Sequence, residues 1–449
     1  MSGEQLDRHD DTGLRAAIRG RPIVGLLLGV VALAILVRLF NACTYDLLSQ
    51  HDPKVHLGYL QSLAHGQIPQ TYNAPWYYIL ICALSSPLIL VAKLLQLSEF
   101  QTAKLAVGFA NSVLFCAFVA GMFTLGRELG FALRERLVLT MLSASLPVVT
   151  RSFDMVRPEN LILALLPWSY VWALRLARAA ELGPRTRRLL LLSCASSALI
   201  VAQKLGGLVL LAGTGLLFAF SGAGGWTRRL RAALVPALVT GGLLVSLWGI
   251  HCVTSGSSPF RHDDVNPGRG APESWHFFVD FDLPHIWAHP VREEQRKSML
   301  GILFVDLFGD YWQYGYDSGP VRLSESSRLS RARFGMVLSA VFVLAVAAGF
   351  VRLLLTARRP EGATSGLLRL ACLAPVPLSF LFLCAASMRY YYSGDADIVK
   401  WEYISWALPL STLCPTCLVE ATGRDGRAVP HAAAAVFALA GLAQSVVFK

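Results

Sequence analysis

Charge is scarce in this sequence. Only 15% of its residues are Asp, Glu, Lys or Arg, whereas a soluble domain carries about 25%. With 54% apolar residues and a mean hydropathy of +0.51, that shortage excludes an ordinary soluble globular protein and leaves a polytopic membrane protein. Acid is scarcer than base, at 29 Asp and Glu against 40 Lys and Arg, a formal net charge of +11. A nucleic-acid footprint does not follow, because the arginines cluster in short loops between apolar runs, which is how cytoplasmic loops are marked. A disulfide framework is missing too. The nine cysteines lie mostly inside apolar runs, among them Cys116, Cys194 and Cys384, where a free thiol behaves as a small hydrophobe. Cys414 and Cys417 make a CPTC spacing with no second pair or histidine beside it, so packing is expected there rather than zinc or redox chemistry. Neither a fixed-period repeat nor a low-complexity tract is present.

What is there is a series of apolar runs. A membrane helix needs about 20 mostly apolar residues, and candidate spans are 22–40, 105–125, 137–150, 161–176, 189–202, 205–220, 232–252, 334–355, 367–387, 403–418 and 432–447. Residues 1–21 are polar and charged, and the run after them is too long for a signal-peptide core, so it is expected to be retained as an anchor behind a cytoplasmic tail. With Arg15, Arg19 and Arg21 inside, the basic loops at Arg127/Arg134/Arg136, Arg178/Arg185/Arg187/Arg188, Arg228/Arg229/Arg231, Arg352/Arg358/Arg359 and Arg424/Arg427 all fall inside only if the apolar run 75–95 does not cross. That run is therefore expected to be a juxtamembrane helix, kinked at Pro87. The resulting organisation is a tail (1–21), an N-terminal transmembrane module (22–252) with a first outer loop (41–74) and the juxtamembrane helix (75–95), a long outer loop with an interfacial helix (253–333), and C-terminal transmembrane helices (334–449). The same parity puts Arg151 to Glu159, the turn at Lys204 and Arg389 to Glu402 on the outer side. In the long loop, SMLGILFVDLFGDYWQYGY is amphiphilic and rich in aromatics, which favours the membrane interface and a lid along the outer surface.

The first outer stretch, Tyr45 to Tyr78, concentrates Asp46, Asp52, His51, His56 and several aromatics just past the first span. It reads D-x-x-x-H-x-x-Y (Asp52, His56, Tyr59), then G-x-x-P (Gly66, Pro69), then a Pro-aromatic helix start (Pro75, Trp76, Tyr77, Tyr78). In this it resembles the GT-C glycosyltransferases, most of all the protein O-mannosyltransferase and aminoarabinose-transferase branch. RSFDMVRPENLILALL (from Arg151) is similar to that family's second outer loop, AQKLGG (from Ala202) to its lysine turn, and DADIVKWEYISWALP (from Asp395) to its late outer loop. The resemblance runs from about Arg38 to Pro409. It implies an all-α polytopic membrane protein with a GT-C-like bundle of about eleven transmembrane helices, outer-face juxtamembrane helices and one long outer loop.

The activity implied is transfer of a sugar, with inversion, from a polyprenyl-phosphate donor to a hydroxyl or amine of a lipid, glycan or protein acceptor on the outer face. The resemblance places the general base at Asp52. A base must sit within hydrogen-bond reach of the acceptor proton, and His51 or His56 would either orient Asp52 or take the proton itself. Asp52 would also cap a helix starting at Pro53, and Asp46 is the reserve candidate. Glu159, with Arg157 and Asp154, would contact the acceptor or assist the base; as a first-turn acid it would equally favour its helix. Lys204 interrupts two apolar runs and is expected to meet a lipid phosphate or to snorkel to the interface. Arg389, Lys400 and Tyr403, together with Arg157 and His51, complete the expected phosphate-binding set. A phosphate leaving group is served by cations, so neither a metal nor another cofactor is expected; the acidic triplets at Asp280/Asp282 and Asp395/Asp397 stand away from the first loop. Asp306, Asp310, Trp312 and Tyr314 are expected to pack rather than line a cleft.

Two departures from the family's pattern stand out. His51-Asp52-Pro53 stands where many members have paired acids, and no appended outer domain is expected after the last span. The rival reading is a lipid or glycolipid transporter or flippase, which should carry ionisable residues at mid-span between related halves. A bacterial inner membrane, with the site facing the periplasm, is the expected setting. The topology is open to a direct check: a cysteine introduced at residue 130 should react with a membrane-impermeant thiol reagent only after the inner face is opened. Labelling from outside would overturn the parity argument and the grouping of motifs together.

Overall fold

The computed structural model describes residues 22–49, 53–69, 74–179, 184–221, 226–256, 275–291, 298–313, 324–359, 363–389, 404–423 and 428–447. Among the described residues every regular element is helical. In chain order they are α1 (Pro22–Thr44), α2 (Pro53–Ala64), α3 (Trp76–Leu94), α4 (Glu99–Glu128), α5 (Leu133–Ala144), α6 (Pro147–Asp154), α7 (Glu159–Arg178), α8 (Pro184–Gln203), α9 (Leu208–Ser221) and α10 (Trp226–Ser255). Then follow α11 (Trp275–Val279), α12 (Leu283–Ala288), α13 (Met299–Phe308), α14 (Glu325–Ala357), α15 (Ala363–Leu373), α16 (Pro375–Arg389), α17 (Leu408–Ser411), α18 (Leu413–Thr422) and α19 (Val429–Ser445). Among the described residues seven helices are long and apolar enough to cross a membrane: Pro22–Thr44, Trp76–Leu94, Glu99–Glu128, Glu159–Arg178, Ala233–Ser255, Glu325–Ala357 and Ala363–Ser387. Leu205–Phe220, Met299–Phe308 and Val429–Ser445 are shorter apolar helices.

Local sequence sets several of the boundaries. Ser98 caps α4 through a reciprocal capping box with Gln101, which satisfies two first-turn donors at once. Pro147, with no N–H to give, opens α6 and breaks the expected span 137–150 into two pieces. The expected span 403–418 is likewise discontinuous, as α17 and α18. The two breaks meet: Ser143 Oγ lies 2.7 Å from Thr412 Oγ1, so hydroxyls satisfy each other where the helices are interrupted. Two glycines allow backbones to touch in this region. A Cβ at Gly349 would stand 2.0 Å from the Cys414 carbonyl oxygen, and one at Gly441 2.6 Å from that of Ser145.

The packing of α4 defines the levels of the bundle. Gly108 of α4 faces Ala42, near the end of α1. α7 runs parallel to α4: Asn111 donates to the Met155 carbonyl just before α7, Trp168 donates to Ala117 O, and Arg175 and Arg178 reach Glu128. α1 and α7 thus flank α4 from about Gly108 to Glu128. The first part of α4, about nine residues or roughly 14 Å, projects past them. α3 packs from the flanked part onto that projection, its Tyr77 Oη on Asn111 Oδ1 at 3.0 Å and its Ser85 Oγ, further along, on Ala106 O at 2.8 Å.

Buried charge collects at the two ends of this bundle. At one end Arg369 bonds Glu420 and lies 3.8 Å from the Phe131 ring centroid, His431 meets Glu135, and Glu128 holds Arg175 and Arg178. At the other stand Arg38 with Asp154, Arg151 with Asp306 and Asp310, and Lys204 with Glu159. α13 differs from its expected place as a surface lid. Met299, Ile302, Val305 and Phe308 are buried, Phe308 packs on Phe342 and Phe437, and Arg151 holds both acids of the segment. It is a core element. Trp312 is buried beside it, while Tyr314 lies outside the described residues.

The close approach at Gly349 is directly testable. Gly349→Ala should lower the unfolding temperature of the detergent-solubilised protein by an amount equivalent to about 1–3 kcal/mol, the usual range for overpacking. Gly25→Ala, where nothing lies within 4 Å of the new Cβ, should be neutral or slightly stabilising.

Candidate active site

The site is built on the short connection between α6 and α7. Arg38 is an arginine inside an apolar first helix and is 1% exposed; such a charge has to be paired where it stands. Its Nη1 lies 3.0 Å from Asp154 Oδ1 and its Nη2 donates to Phe153 O at 2.6 Å. Asn41, one turn on, donates to Asp154 Oδ2 and to the Ser445 carbonyl, each at 2.8 Å, and accepts from Val447 N at 3.1 Å. The end of α6 is therefore fastened to the first and last helices together.

The connection after Asp154 is held by side-chain amides. Asn111 Nδ2 donates to Phe153 O and Met155 O at 3.0 and 2.8 Å. Asn160 Nδ2 donates to Met155 O at 3.0 Å, and its Oδ1 accepts from Ser152 Oγ at 2.9 Å. The Tyr77 hydroxyl accepts the Arg157 backbone N–H at 3.1 Å while donating to Asn111. Tyr77 is itself anchored from α8, since its N–H donates to Gln203 Oε1 at 2.9 Å and Gln203 Nε2 donates to Ala74 O at 3.2 Å. The Asn111, Asn160 and Gln203 amides and the Tyr77 hydroxyl are thus all engaged, as a buried network requires.

This framework aims Glu159 at Lys204. The two form an ion pair through Glu159 Oε1 and Lys204 Nζ. Arg157, 3% exposed and donating from Nε to Met155 Sδ at 3.2 Å, acts electrostatically on the same carboxylate. Lys204 stands between α8 and a tight turn, Leu205–Gly207, with its ammonium 6.0 Å from the Trp406 ring centroid. Gly206 lets the Trp406 and Phe382 rings close on that turn.

Of the residues expected from the sequence, Glu159, Lys204 and Arg157 come together, with Asp154 one connection away. His56 approaches by another route: its Nδ1 shares a 2.6 Å hydrogen bond with Tyr78 Oη, Tyr59 stacks on Tyr78 at 4.1 Å, and Tyr78 follows Tyr77 in α3. Burial pushes the Tyr59 hydroxyl up to about 12, which keeps it protonated. Asp46 accepts from Leu48 N at 3.0 Å, a local turn contact. α2 starts at Pro53, as expected. His51, Asp52, Lys400 and Tyr403 lie outside the described residues, as does the side chain of Arg389, whose backbone ends α16. Among the described residues no group of three or more His, Cys, Asp or Glu is placed to hold a metal ion; Asp280 meets His276 and Asp282 caps α12. Sequence reasoning gave no role at the site to Tyr77, Asn111, Asn160 or Arg38. Arg38 carried a signal, since a charge inside an apolar span marks a site, whereas a single Asn in an apolar run has no local pattern to betray it.

The electrostatics of Asp154 give a pH test. Burial pushes its carboxyl up from the ordinary 3.8 to about 7, against the pull of Arg38, the Asn41 amide and Arg151. An acid that holds its proton more tightly folded than unfolded stabilises the fold at low pH, and that contribution is lost as pH rises through about 7. The stability gap between the parent and Asp154→Asn should therefore widen as pH falls from about 7 to about 4, on the order of 1.4 kcal/mol per pKa unit, and stay flat above. Thermal unfolding across that range would show it, and a gap that narrows on acidification would contradict it.

No family model matches the chain, and no curated protein matches it. Among solved structures it is similar to the oligosaccharyltransferase of Archaeoglobus fulgidus in the apo form, at 12% identity and a TM-score of 0.47, over 94% of this chain and 56% of that one. The chain thus spans little more than half the length of that protein. It is also similar to ArnT from Cupriavidus metallidurans bound to undecaprenyl phosphate, at 14% identity and a TM-score of 0.40, over 90% of this chain and 80% of that one. Both TM-scores are low, and neither likeness bears on the chemistry of the site.

Proposed function

We propose that this chain is a membrane glycosyltransferase of the GT-C type, moving a sugar from a polyprenyl-phosphate carrier to an acceptor hydroxyl or amine at the end of the bundle that carries Lys204. The observation that carries this reading is the Glu159–Lys204 pair, set beside Arg157 and Trp406 where the segments resembling the family's outer loops converge. In the proposed reaction the acceptor oxygen or nitrogen attacks the anomeric carbon, the bond from that carbon to the phosphate oxygen breaks, and its electron pair leaves with the carrier phosphate. Asp52 takes the acceptor proton, and His56 would orient it. Lys204, and Arg157 if its guanidinium turns from Met155, would stabilise the charge growing on the phosphate. Glu159 would hold Lys204 in place until a phosphate competes for it.

α3 belongs to this picture as a helix at the outer boundary, since it packs where α4 projects past α1 and α7. Its apolar face, with Leu90 and Leu94 exposed, would support the carrier's hydrocarbon. A flippase or transporter is the second reading. It fits less well because the described buried charges lie at the two ends of the bundle rather than at mid-span.

Purified full-length protein in nanodiscs, supplied with a panel of polyprenyl-phosphate sugars, should transfer sugar to an acceptor. Asp52→Asn should lower kcat by roughly 10²–10⁴-fold, the range for removing a general base. Lys204→Met should weaken donor use while Arg178→Met, at the opposite end, leaves it unchanged. Full transfer by Asp52→Asn would remove the proposed base, and translocation of the lipid with no transfer from any donor would favour the flippase.

A further inference from the structure

We infer that His251 is a ligand-binding residue which, with the indole N–H groups of Trp76 and Trp406, takes the oxygen-rich head of a lipid phosphate. His251 is 1% exposed, and neither Nδ1 nor Nε2 has a hydrogen-bond partner. A neutral imidazole carries one donor and one acceptor, so both capacities are buried without use. That arrangement is destabilising, and an apolar side chain, like its neighbours Ile250, Cys252 and Val253, would fill the space without it.

Helical spacing places His251 at the Lys204 end. Leu244, Trp248, His251 and Ser255 share one face of α10; Leu244, His251 and Ser255 are buried, whereas Val245, Ile250 and Val253 on the other faces are exposed. Leu244 and Trp248 pack with Ala198, Val201 and Ala202 of α8, and with Trp76. α8 and α10 run in the same direction, so the next turn of α10 brings His251 level with the residues that follow Ala202, namely Gln203 and Lys204.

Two further donors there share its condition. Trp76 Nε1 and Trp406 Nε1 are both buried with no acceptor. Trp76 belongs to the cluster around Ala198–Ala202, and Trp406 lies under Lys204 and against Gly206. The nearby acceptors are already engaged: Gln203 Oε1 takes the Tyr77 N–H, and Glu159 Oε1 takes Lys204. The outer end of α8 is thus donor-rich, with N–H groups contributed by three separate elements. What completes it is a molecule rich in acceptor oxygens. A carrier phosphate, or the sugar attached to it, has that chemistry, and its arrival there rests on the transferase reading.

The test uses full-length protein in detergent, with tryptophan fluorescence reporting the binding of three probes: polyprenyl phosphate, the same carrier bearing a hexose, and free polyprenol. His251→Leu should raise Kd about tenfold for the phosphate-bearing lipids, leave polyprenol unchanged, and keep or raise the unfolding temperature. His251→Gln, which restores a donor and an acceptor, should recover part of the affinity. A loss for both phosphate lipids assigns the contact to the phosphate, and a loss confined to the hexose-bearing carrier assigns it to the sugar. Unchanged affinity for all three probes, a parent that binds none of them, or a lower unfolding temperature in His251→Leu without rescue by Gln would overturn the proposal. A parent that binds these lipids yet transfers no sugar would sink the transferase reading alone.

Discussion

An arginine buried in an apolar helix cannot wait for solvent to neutralise it, and the placing of Asp154 against Arg38 is the constraint on which the rest of this end of the molecule depends. Because Asp154 is the last residue of α6, pairing it fixes where that helix stops. The four residues from Met155 to Pro158 then have to turn within a short distance, and Asn111, Asn160 and Tyr77 hold them there. Only after that turn does α7 begin, with Glu159 at its head. The direction of the Glu159 carboxylate toward Lys204 is thus inherited from a pairing one helix away.

The same logic explains why the bundle has two polar ends and an apolar middle. In hydrocarbon every backbone group must be satisfied within the protein, and a charge is tolerated near a boundary or against a partner. Arg369 with Glu420, and His431 with Glu135, close one end, where hydrogen bonding to His431 holds the Glu135 carboxyl below its usual range. The interruptions of α5/α6 and α17/α18 are tolerated because Ser143 and Thr412 satisfy each other across them.

Much of this could be read from the chain. That Glu159 and the Lys204 turn share one end of the bundle was legible because these charges interrupt apolar runs at regular parity, and the family resemblance rested on the same segments. The start of α2 at Pro53 was legible from the proline itself. The partners were not. Lys204 and Glu159 are 45 residues apart, Arg151 and Asp310 are 159 apart, and no local pattern encodes such pairings. For that reason α13 was expected on the surface: its amphiphilic composition was visible, but the arginine that draws its two acids inward was not. Pro147 was present in a run taken as one span, and its missing N–H wins over the apolar content around it. Asp52, His51, Lys400 and Tyr403 lie outside the described residues, so the base and part of the phosphate set rest on the sequence.

The bonds from Asn41 to Ser445 and Val447 tie the first described helix to the last. During synthesis α1 is made before everything it will be tied to, and its amide has to stay solvated or transiently paired until the final helix inserts. The closure of the bundle accordingly waits until α19 has been made. It also means that any tag appended after the last helix emerges beside Asn41 and Asp154, at the end of the bundle where the substrate is proposed to bind, whereas one placed before α1 emerges at the opposite end.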